Sequence, residues 1–244
     1  MKTVSAVVPV LALLAWSASM SAQAPNTLTP QEKAQGWQLL FDGKTLNGWH
    51  SQAPPQPRAG GGGGRAATPP AAPQPGALPQ VGSAPKPCVT KQSASTQAGS
   101  SHWEVVDGAL TPCGEPTGYL SSDQSYKNFV LSLEFRTSQD ANSGIYVRSP
   151  NEAGGYEVQI WRQQQAGYNT GSIVGTAKTA RDYAFKADQW NQMQITADGD
   201  HLVIVLNGET TLDTHDAKFP DGNIRFQYQQ FPIAFRNIKI RQLP

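Results

Sequence analysis

The stretch NSGIYVRSPNEAGGYEVQIW, which runs from Asn142 to Trp161, predicts two neighbouring β-strands. Apolar side chains alternate with polar or aromatic ones in SGIYVR and again in YEVQIW, and a period of two puts each kind on its own face of a sheet. A solvent-facing sheet mostly shows Lys, Thr and Ser, whereas Glu, Gln, Arg, Tyr and Trp together are typical of a binding or catalytic cleft. A plain outer sheet face is the alternative interpretation. The polar and aromatic side chains predicted to lie together on one side of these two strands are Tyr146, Arg148, Glu157, Gln159 and Trp161.

The preceding segment, FVLSLEFR at 129–136, extends this pattern. Its leucines and second phenylalanine alternate with polar side chains, so Glu134 and Arg136 are predicted to point away from the core. If this strand neighbours the other two in one sheet, Glu134 and Arg136 join their polar face.

The rest of the chain predicts an all-β fold with one short helix after Thr29-Pro30. The dipeptides Asp107-Gly108, Asp198-Gly199 and Asn207-Gly208 predict tight hairpin turns. The segment 202–206 is apolar at every position, which predicts a strand covered on both faces. These features favour a two-sheet antiparallel sandwich. Further strands are predicted at 36–41, 102–106, 109–111, 118–121, 189–195, 201–206, 224–229 and 233–241.

Residues 1–24 are predicted to be a secretory signal peptide. A lysine at position 2, an apolar run from Val7 to Trp16 and the small-residue site Ala22-Gln23-Ala24 follow the order of such peptides. The apolar run is too short for a transmembrane helix. We therefore expect an exported protein, periplasmic or secreted, with no transmembrane segment.

Residues 51–101 predict a long disordered insertion. Five consecutive glycines at 60–64, many Pro and Ala, and few large apolar residues leave too little surface to bury against the entropy of ordering. The insertion divides one sandwich domain into a start at 25–50 and a remainder at 102–244.

Cys88 and Cys113 are the only two cysteines of the 244-residue chain. In a protein bound for an oxidising compartment we expect them to form a disulfide. Catalytic or metal-binding thiols are the alternative, although no histidine is near either cysteine in sequence.

Charge and composition exclude several classes of function. A formal net charge of +1 does not predict nucleic acid or an anionic membrane as a partner. The four dispersed histidines match neither zinc-finger nor HExxH spacing, so no metal site and no cofactor is identified. A divalent cation held by carboxylate and amide oxygens is compatible with the sequence but has no motif here.

Taken in order, several motifs resemble the 3-keto-disaccharide hydrolase domain family across nearly all of the mature chain except the insertion. The resemblance implies a concanavalin A-like jelly-roll sandwich whose concave sheet holds a carbohydrate ligand. The motifs are LLFDGKTLNGW, WEVVDGAL, ANSGIYVRS, GYEVQIW, TGSIVG, WNQMQI and FRNIKIRQL.

The activity that the resemblance implies is cleavage of a glycosidic bond in a sugar oxidised to a ketone at C3. The ketone makes the C2 proton acidic, so a carboxylate base can remove it before the C1 substituent leaves. An oxocarbenium-type route instead needs two carboxylates about 5–10 Å apart. On this basis Glu157 is the expected base and Glu134 the second acid. Arg148 and Gln159 are expected to bind substrate oxygens, and Tyr146 or Trp161 to stack on the sugar. Arg136 and Gln227 are also expected to bind substrate.

A non-catalytic carbohydrate-binding module is the alternative function. The family commonly has an acidic residue shortly after the YEVQ strand, where this chain has Arg162, and often a histidine where this chain has Gln229. Glu134 could also be one half of a cross-strand ion pair. A third hypothesis, a surface interaction protein with the insertion as spacer, depends on the insertion alone.

Overall fold

The computed structural model describes residues 23–52, 102–114, 118–150, 154–162, 167–229 and 232–244. One short helix and thirteen strands are found within these ranges. The helix is α1 (Pro30–Ala34), and the strands are β1 (Gln38–Leu39), β2 (Trp49–Gln52), β3 (His102–Val106), β4 (Ala109–Cys113), β5 (Gly118–Tyr126), β6 (Phe129–Thr137), β7 (Asn142–Ser149), β8 (Tyr156–Trp161), β9 (Asn191–Asp198), β10 (His201–Leu206), β11 (Glu209–His215), β12 (Gly222–Tyr228) and β13 (Ile233–Gln242).

The strands form two antiparallel sheets. The eight-stranded sheet has the order β11-β10-β9-β6-β13-β4-β3, with β1 also paired to β13. The five-stranded sheet has the order β2-β5-β12-β7-β8. Strands on either side of the predicted insertion pair with each other, since β1 lies beside β13 and β2 beside β5.

The core lies between the sheets. Phe226 of the five-stranded sheet stacks on Phe235 of the eight-stranded sheet with 4.4 Å between ring centroids. Trp49 also stacks on Phe226, with 5.2 Å between ring centroids, and donates its indole N–H to the carbonyl of Leu40. The predicted all-β, two-sheet antiparallel sandwich is therefore confirmed.

Local sequence signals explain the hairpins and the helix. Asp107 and Asn207 have φ values of +50° and +51° and each is followed by a glycine of positive φ, which is the backbone that a tight hairpin turn requires. Thr29 caps α1 as predicted, because its side chain accepts from the Glu32 N–H while the Glu32 carboxylate accepts from the Thr29 N–H. Glu32 also pairs with Lys239 of β13 at 2.7 Å, which fixes the helix to the sheet.

Two predictions about strands are wrong in detail. The first strand is only two residues long, since β1 pairs with β13 solely at Gln38 and Leu39. Strand β10 is not covered on both faces: Leu202, Ile204 and Leu206 are buried, but the intervening valines are partly exposed. Apolar character on the outer face of β10 therefore does not signal a covering layer.

Several predictions fall outside the described residues. These are the signal peptide at 1–24, apart from its last two residues, almost all of the insertion, and Cys88. Cys113 is disulfide-bonded, and its pairing with Cys88 stays a prediction. None of the helices in the described ranges is long and apolar enough to cross a membrane.

Candidate functional site

A row of polar and aromatic side chains crosses the outer face of the five-stranded sheet. Glu157 lies directly opposite Tyr146, and Tyr146 lies opposite Arg225. Arg225 in turn lies opposite Ser121, and Ser121 opposite His50. Since residues directly opposite one another point to the same side of a sheet, one residue from each of the five strands contributes to this row.

A second row lies one residue pair further along the same face. Gln159 is opposite Gly144, while Gln227 is opposite Tyr119 and Tyr119 opposite Gln52. We call these two rows together the polar face. Its members are His50, Gln52, Tyr119, Ser121, Gly144, Tyr146, Glu157, Gln159, Arg225 and Gln227.

The reverse side of the same strands faces the core. Leu120, Ile145, Val158 and Phe226 occupy one register row there, and each is fully buried. The period-two prediction for β7 and β8 therefore holds for Tyr146, Glu157 and Gln159. The rigid core row fixes the positions of the strands that present these polar side chains.

Glu157 is the acidic member of the polar face. Burial raises the pKa of its carboxyl above the ordinary value of 4.5, while a hydrogen-bonding interaction with Tyr146 and the charge of Arg225 act in the opposite direction. Within the described part of the chain, no cationic side chain forms an ion pair with Glu157. A carboxylate that is desolvated and not neutralised by direct contact is a stronger base than an exposed one.

Tyr146 is the immediate neighbour of this carboxylate. Its hydroxyl interacts with Glu157 and with Tyr119, and Gln227 Nε2 lies 3.5 Å away. Burial and the charge of Glu157 raise the pKa of the Tyr146 phenol well above its ordinary value. The Tyr119 and Tyr146 rings meet edge to face at 5.5 Å, so packing holds the hydroxyl in place.

Arg225 lies beneath these tyrosines. Its guanidinium carbon is 3.9 Å from the centroid of the Tyr119 ring and 5.1 Å from that of Tyr146, and Nη1 donates to Ser149 Oγ at 2.9 Å. Only 2% of Arg225 is exposed. It therefore acts on Glu157 as a buried positive charge rather than as a surface donor.

Gly144 leaves the space that the Glu157 carboxylate occupies. A Cβ atom at position 144 would lie 2.9 Å from Glu157 Oε1 and 3.5 Å from Gln227 Oε1. Any side chain here would displace the carboxylate. Both oxygens thus converge on the surface above Gly144.

Three oxygens of the polar face are buried without a hydrogen-bond partner in the described structure: Gln52 Oε1, Ser121 Oγ and Gln227 Oε1. An unsatisfied buried acceptor costs about 1–3 kcal/mol, and such groups concentrate at functional sites. A ligand rich in hydroxyl donors is the chemical class that would satisfy them.

Arg148 does not lie with Glu157 and Gln159. Its guanidinium donates to the carbonyls of Lys127 and Gly199, at 2.6 Å each, and to Asn128 Oδ1 at 3.2 Å. The cause is a β-bulge: Arg148 has a φ of +50°, and the register of β7 against β12 shifts at this point. The extra residue turns Arg148 away from the polar face, and it joins loops instead.

Glu134 and Arg136 lie on the other sheet. Glu134 forms an ion pair with Arg236 at 2.7 Å on the outer face of the eight-stranded sheet, and Arg136 lies over the Trp190 ring at 4.9 Å. They were expected to lie beside Glu157 only if their strand belonged to the same sheet, and it does not. The hydrophobic core separates the two carboxylates.

Three further positions were expected to bear on function: Trp161, and the two positions at which the chain departs from the family pattern, Arg162 and Gln229. Only 6% of Trp161 is exposed, which is too little for a stacking platform. Arg162 stacks on the Phe185 ring at 5.6 Å, and Phe185 belongs to the core cluster. Gln229 is exposed just after β12.

Arg225, Tyr119, Ser121, Gln52 and His50 were not anticipated as site residues. A signal for Arg225 exists in the alternation Ile224 to Tyr228, which puts Arg225 on the same face as Gln227. No comparable signal predicts Tyr119, because polar and apolar residues do not alternate regularly along its strand. Among the described residues, no group of three His, Cys, Asp or Glu is arranged to hold a metal ion.

Three solved structures from Parabacteroides distasonis share this fold, and each is a proposed glycosyl hydrolase. The first is 26% identical, with 58% of this chain and 90% of the other covered and a TM-score of 0.53. The second is 18% identical, covering 91% and 100%, with a TM-score of 0.63. The third is 21% identical, covering 99% and 94%, with a TM-score of 0.54. The last two show likeness of fold alone.

No curated protein matches the chain significantly. The family profile of the 3-keto-alpha-glucoside-1,2-lyase-like domain, by contrast, matches residues 36–241. That range includes both sheets and all ten residues of the polar face. The chain therefore belongs to the 3-keto-alpha-glucoside-1,2-lyase-like domain family, a carbohydrate-active family related to glycosyl hydrolases.

Proposed function

We propose that this protein is an exported enzyme that cleaves glycosidic bonds of 3-keto glycosides by elimination, with Glu157 as the general base. The observation that supports this most is the state of Glu157. Its carboxylate has no ion-pair partner in the described structure and is made more basic by burial, in a domain of a family named for 3-keto-glucoside cleavage.

The chemistry needs one base and donors for a developing enolate. Glu157 removes the proton at C2, and the C–H electrons form a C2=C3 double bond with negative charge on the C3 oxygen. When the ketone re-forms, a C1=C2 double bond appears and the bond from C1 to the leaving oxygen breaks. Water can then add to the product.

A two-carboxylate hydrolysis is a poorer fit. That route needs carboxylates about 5–10 Å apart on either side of the bond. Glu134 belongs to the other sheet, and Asp123 is in β5, three strand spacings or about 14 Å from β8. Asp123 is moreover paired with His50 at 2.7 Å. Elimination by one base is therefore the better proposal.

The amides of the polar face are the proposed substrate contacts. Gln227 and Gln159 lie on either side of Gly144, and Gln227 Oε1 lacks a partner in the described structure. A sugar hydroxyl could donate to this oxygen while an amide N–H donates to the C3 oxygen. Arg225 stabilises the negative charge of Glu157 and of the enolate from beneath.

A non-catalytic carbohydrate-binding module is the second candidate. It is favoured by the absence of an acidic residue at position 162 and of a histidine at position 229. In that case the unpartnered amide oxygens of Gln52 and Gln227 would bind unmodified sugars.

The deciding experiment incubates the mature protein with matched 3-keto and unoxidised disaccharides, with and without a chelator, and follows the unsaturated product. We expect turnover of the oxidised sugar only. Calorimetric binding of unoxidised sugars without turnover of 3-keto sugars would favour the binding module. Loss of turnover with chelator would show dependence on a metal ion.

Export is tested separately, by sequencing the N-terminus of the protein recovered from outside the cytoplasm.

A further inference from the structure

The proposed elimination leaves one proton unassigned. The departing oxygen of an unactivated sugar or alcohol must be protonated as the C1–O bond breaks. Glu134, the acid expected from the sequence, is on the other sheet. The donor must therefore come from the polar face itself.

We propose that Tyr146 is a catalytic proton relay, which passes the proton that Glu157 removes from C2 to the departing oxygen at C1. This inference rests on the proposed function. Tyr146 lies directly opposite Glu157 in the β7–β8 pair, so their side chains leave the sheet about 5 Å apart. C1 and C2 are adjacent atoms of one ring, and two groups at this spacing can serve both. Tyr146 and Glu157 are each partly exposed, as contact with a substrate requires.

The relay balances in protons and electrons. Glu157 takes the C2 proton and becomes a neutral acid, while the C–H electrons pass into the enolate. As the C1–O bond breaks, its electrons go to the leaving oxygen, which accepts the phenolic proton of Tyr146. The Tyr146 oxygen then recovers a proton from Glu157, and both side chains return to their starting forms. No oxidant, reductant or metal ion is needed.

Arg225 and Gln227 support this role of Tyr146 and are poor substitutes for it, and the other phenol of the polar face, Tyr119, is on β5, three strands from the strand of Glu157. Arg225 is buried and permanently charged, and the amide of Gln227 is not an acid at ordinary pH. Gln227 Nε2, 3.5 Å from the phenolic oxygen, can stabilise transient negative charge there. Protonation of Glu157 also removes one cause of the raised pKa of the Tyr146 phenol. The phenol thus becomes a better acid just when the leaving oxygen needs it.

The first test compares Tyr146→Phe with wild type on two 3-keto glycosides. A nitrophenolate departs without a proton, whereas an alkyl alcohol needs one. We expect the variant to lose about a hundredfold or more in kcat on the alkyl glycoside and much less on the nitrophenyl glycoside. Equal losses on both would overturn the relay and leave Tyr146 as a residue that positions Glu157.

The second test separates the two halves of the reaction. In D2O, exchange of the C2 hydrogen reports the base, and product formation reports bond cleavage. We expect Tyr146→Phe to retain C2 exchange, measured by NMR, while cleavage of the alkyl glycoside falls. If exchange falls as far as cleavage, Tyr146 acts only through Glu157 and the relay is wrong.

Tyr126→Phe is the matched control. Tyr126 is buried near the far end of β5, where its hydroxyl lies 3.3 Å from Gln124 Oε1. We expect this variant to leave unchanged both the relative kcat on the alkyl and nitrophenyl glycosides and the rate of C2 exchange relative to cleavage. Absence of turnover by wild type on both substrates would reject the proposed function itself, and the relay with it, which is a different outcome from a failed relay in an active enzyme.

Discussion

Both sheets carry a glutamate, at least one arginine and at least one aromatic ring on their outer faces, but the two glutamates have different surroundings. Glu134 pairs directly with Arg236 at 2.7 Å, and its side chain is 27% exposed. Arg236 in turn lies 3.9 Å from the centroid of the Trp190 ring. Glu157 has a burial-raised pKa and an arginine that stacks on Tyr119 instead of contacting the carboxylate.

The difference shows that residue types alone do not define a site. On the eight-stranded sheet the charges of Glu134 and Arg236 neutralise each other in a direct ion pair, so this carboxylate is not expected to act as a base. On the five-stranded sheet the positive charge is held beneath the rings, and the carboxylate stays basic above Gly144. A carboxylate is expected to act as a base only where it is desolvated and no cation contacts it directly.

The largest expected contrast comes from the same substitution on the two faces. Glu157→Gln keeps the shape of the side chain but removes the base, so we expect turnover of a 3-keto glycoside to fall about a hundredfold or more. Glu134→Gln should leave kcat and KM nearly unchanged, because the core separates it from the polar face. Steady-state kinetics of the two purified variants measure this.

Thermal unfolding of the same variants is the control. Both should remain folded, so a loss of turnover cannot be attributed to loss of protein. Equal turnover in wild type and Glu157→Gln would remove Glu157 as the base, and a large loss in Glu134→Gln would invalidate the comparison between the faces.

Much of the sandwich was predictable because local patterns agree with it. Alternation located β6, β7 and β8, and the dipeptides Asp107-Gly108 and Asn207-Gly208 located hairpins whose positive φ values the structure shows. The capping box at Thr29 specified α1. In each case a few consecutive residues suffice to determine the backbone.

The site was only partly predictable because it depends on long-range pairing. Alternation placed Glu157 and Tyr146 on one face, but it could not show that β6 belongs to the other sheet, which removes Glu134. Nor could it show the bulge that turns Arg148 towards the carbonyls of Lys127 and Gly199. Arg225 is 79 residues after Tyr146 in the chain (225 − 146), and only the sheet order brings the two together.

The pH dependence of activity should reflect the raised pKa of Glu157. The base must be ionised, so kcat/KM is expected to fall about tenfold per pH unit on the acid side, with a midpoint above the ordinary 4.5. A pH profile of the wild type measures this. A midpoint at or below 4.5 would mean that Glu157 is not the titrating base.

The contribution of Glu157 to folding stability should change with pH in the direction opposite to its contribution to activity. Because the folded pKa of Glu157 is raised, its contribution to stability is fully present below pH 4.5 and is lost as pH rises through the folded pKa. Glu157→Gln should therefore be at least as stable as wild type at pH 7, and any advantage should disappear near pH 4. Denaturant titrations at the two pH values measure the difference.

Gly144→Ala should have a smaller effect on activity. The new Cβ would come within 2.9 Å of Glu157 Oε1, so the carboxylate must shift by a few tenths of an ångström. Misplacement on this scale is expected to lower kcat about tenfold, with little change in the thermal midpoint, since a flexible side chain gives way. Gln192→Ala, opposite Glu134, is the matched control and should not alter kcat. Unchanged kcat in Gly144→Ala would mean that the carboxylate position is not critical.

The smallest expected effect concerns the Glu134–Arg236 ion pair, which defines the inert side of the comparison. Single substitutions are ambiguous here, because Arg236→Gln also removes the stack on Trp190. A double-mutant cycle with Glu134→Gln and Arg236→Gln cancels that contribution and isolates the pair. With both side chains about a quarter exposed, at 24% and 27%, we expect a coupling of about 0.2–1 kcal/mol from urea unfolding. A coupling of several kcal/mol would show that Glu134 is as strongly desolvated as Glu157, and the two faces would then differ in geometry rather than in the state of their glutamates.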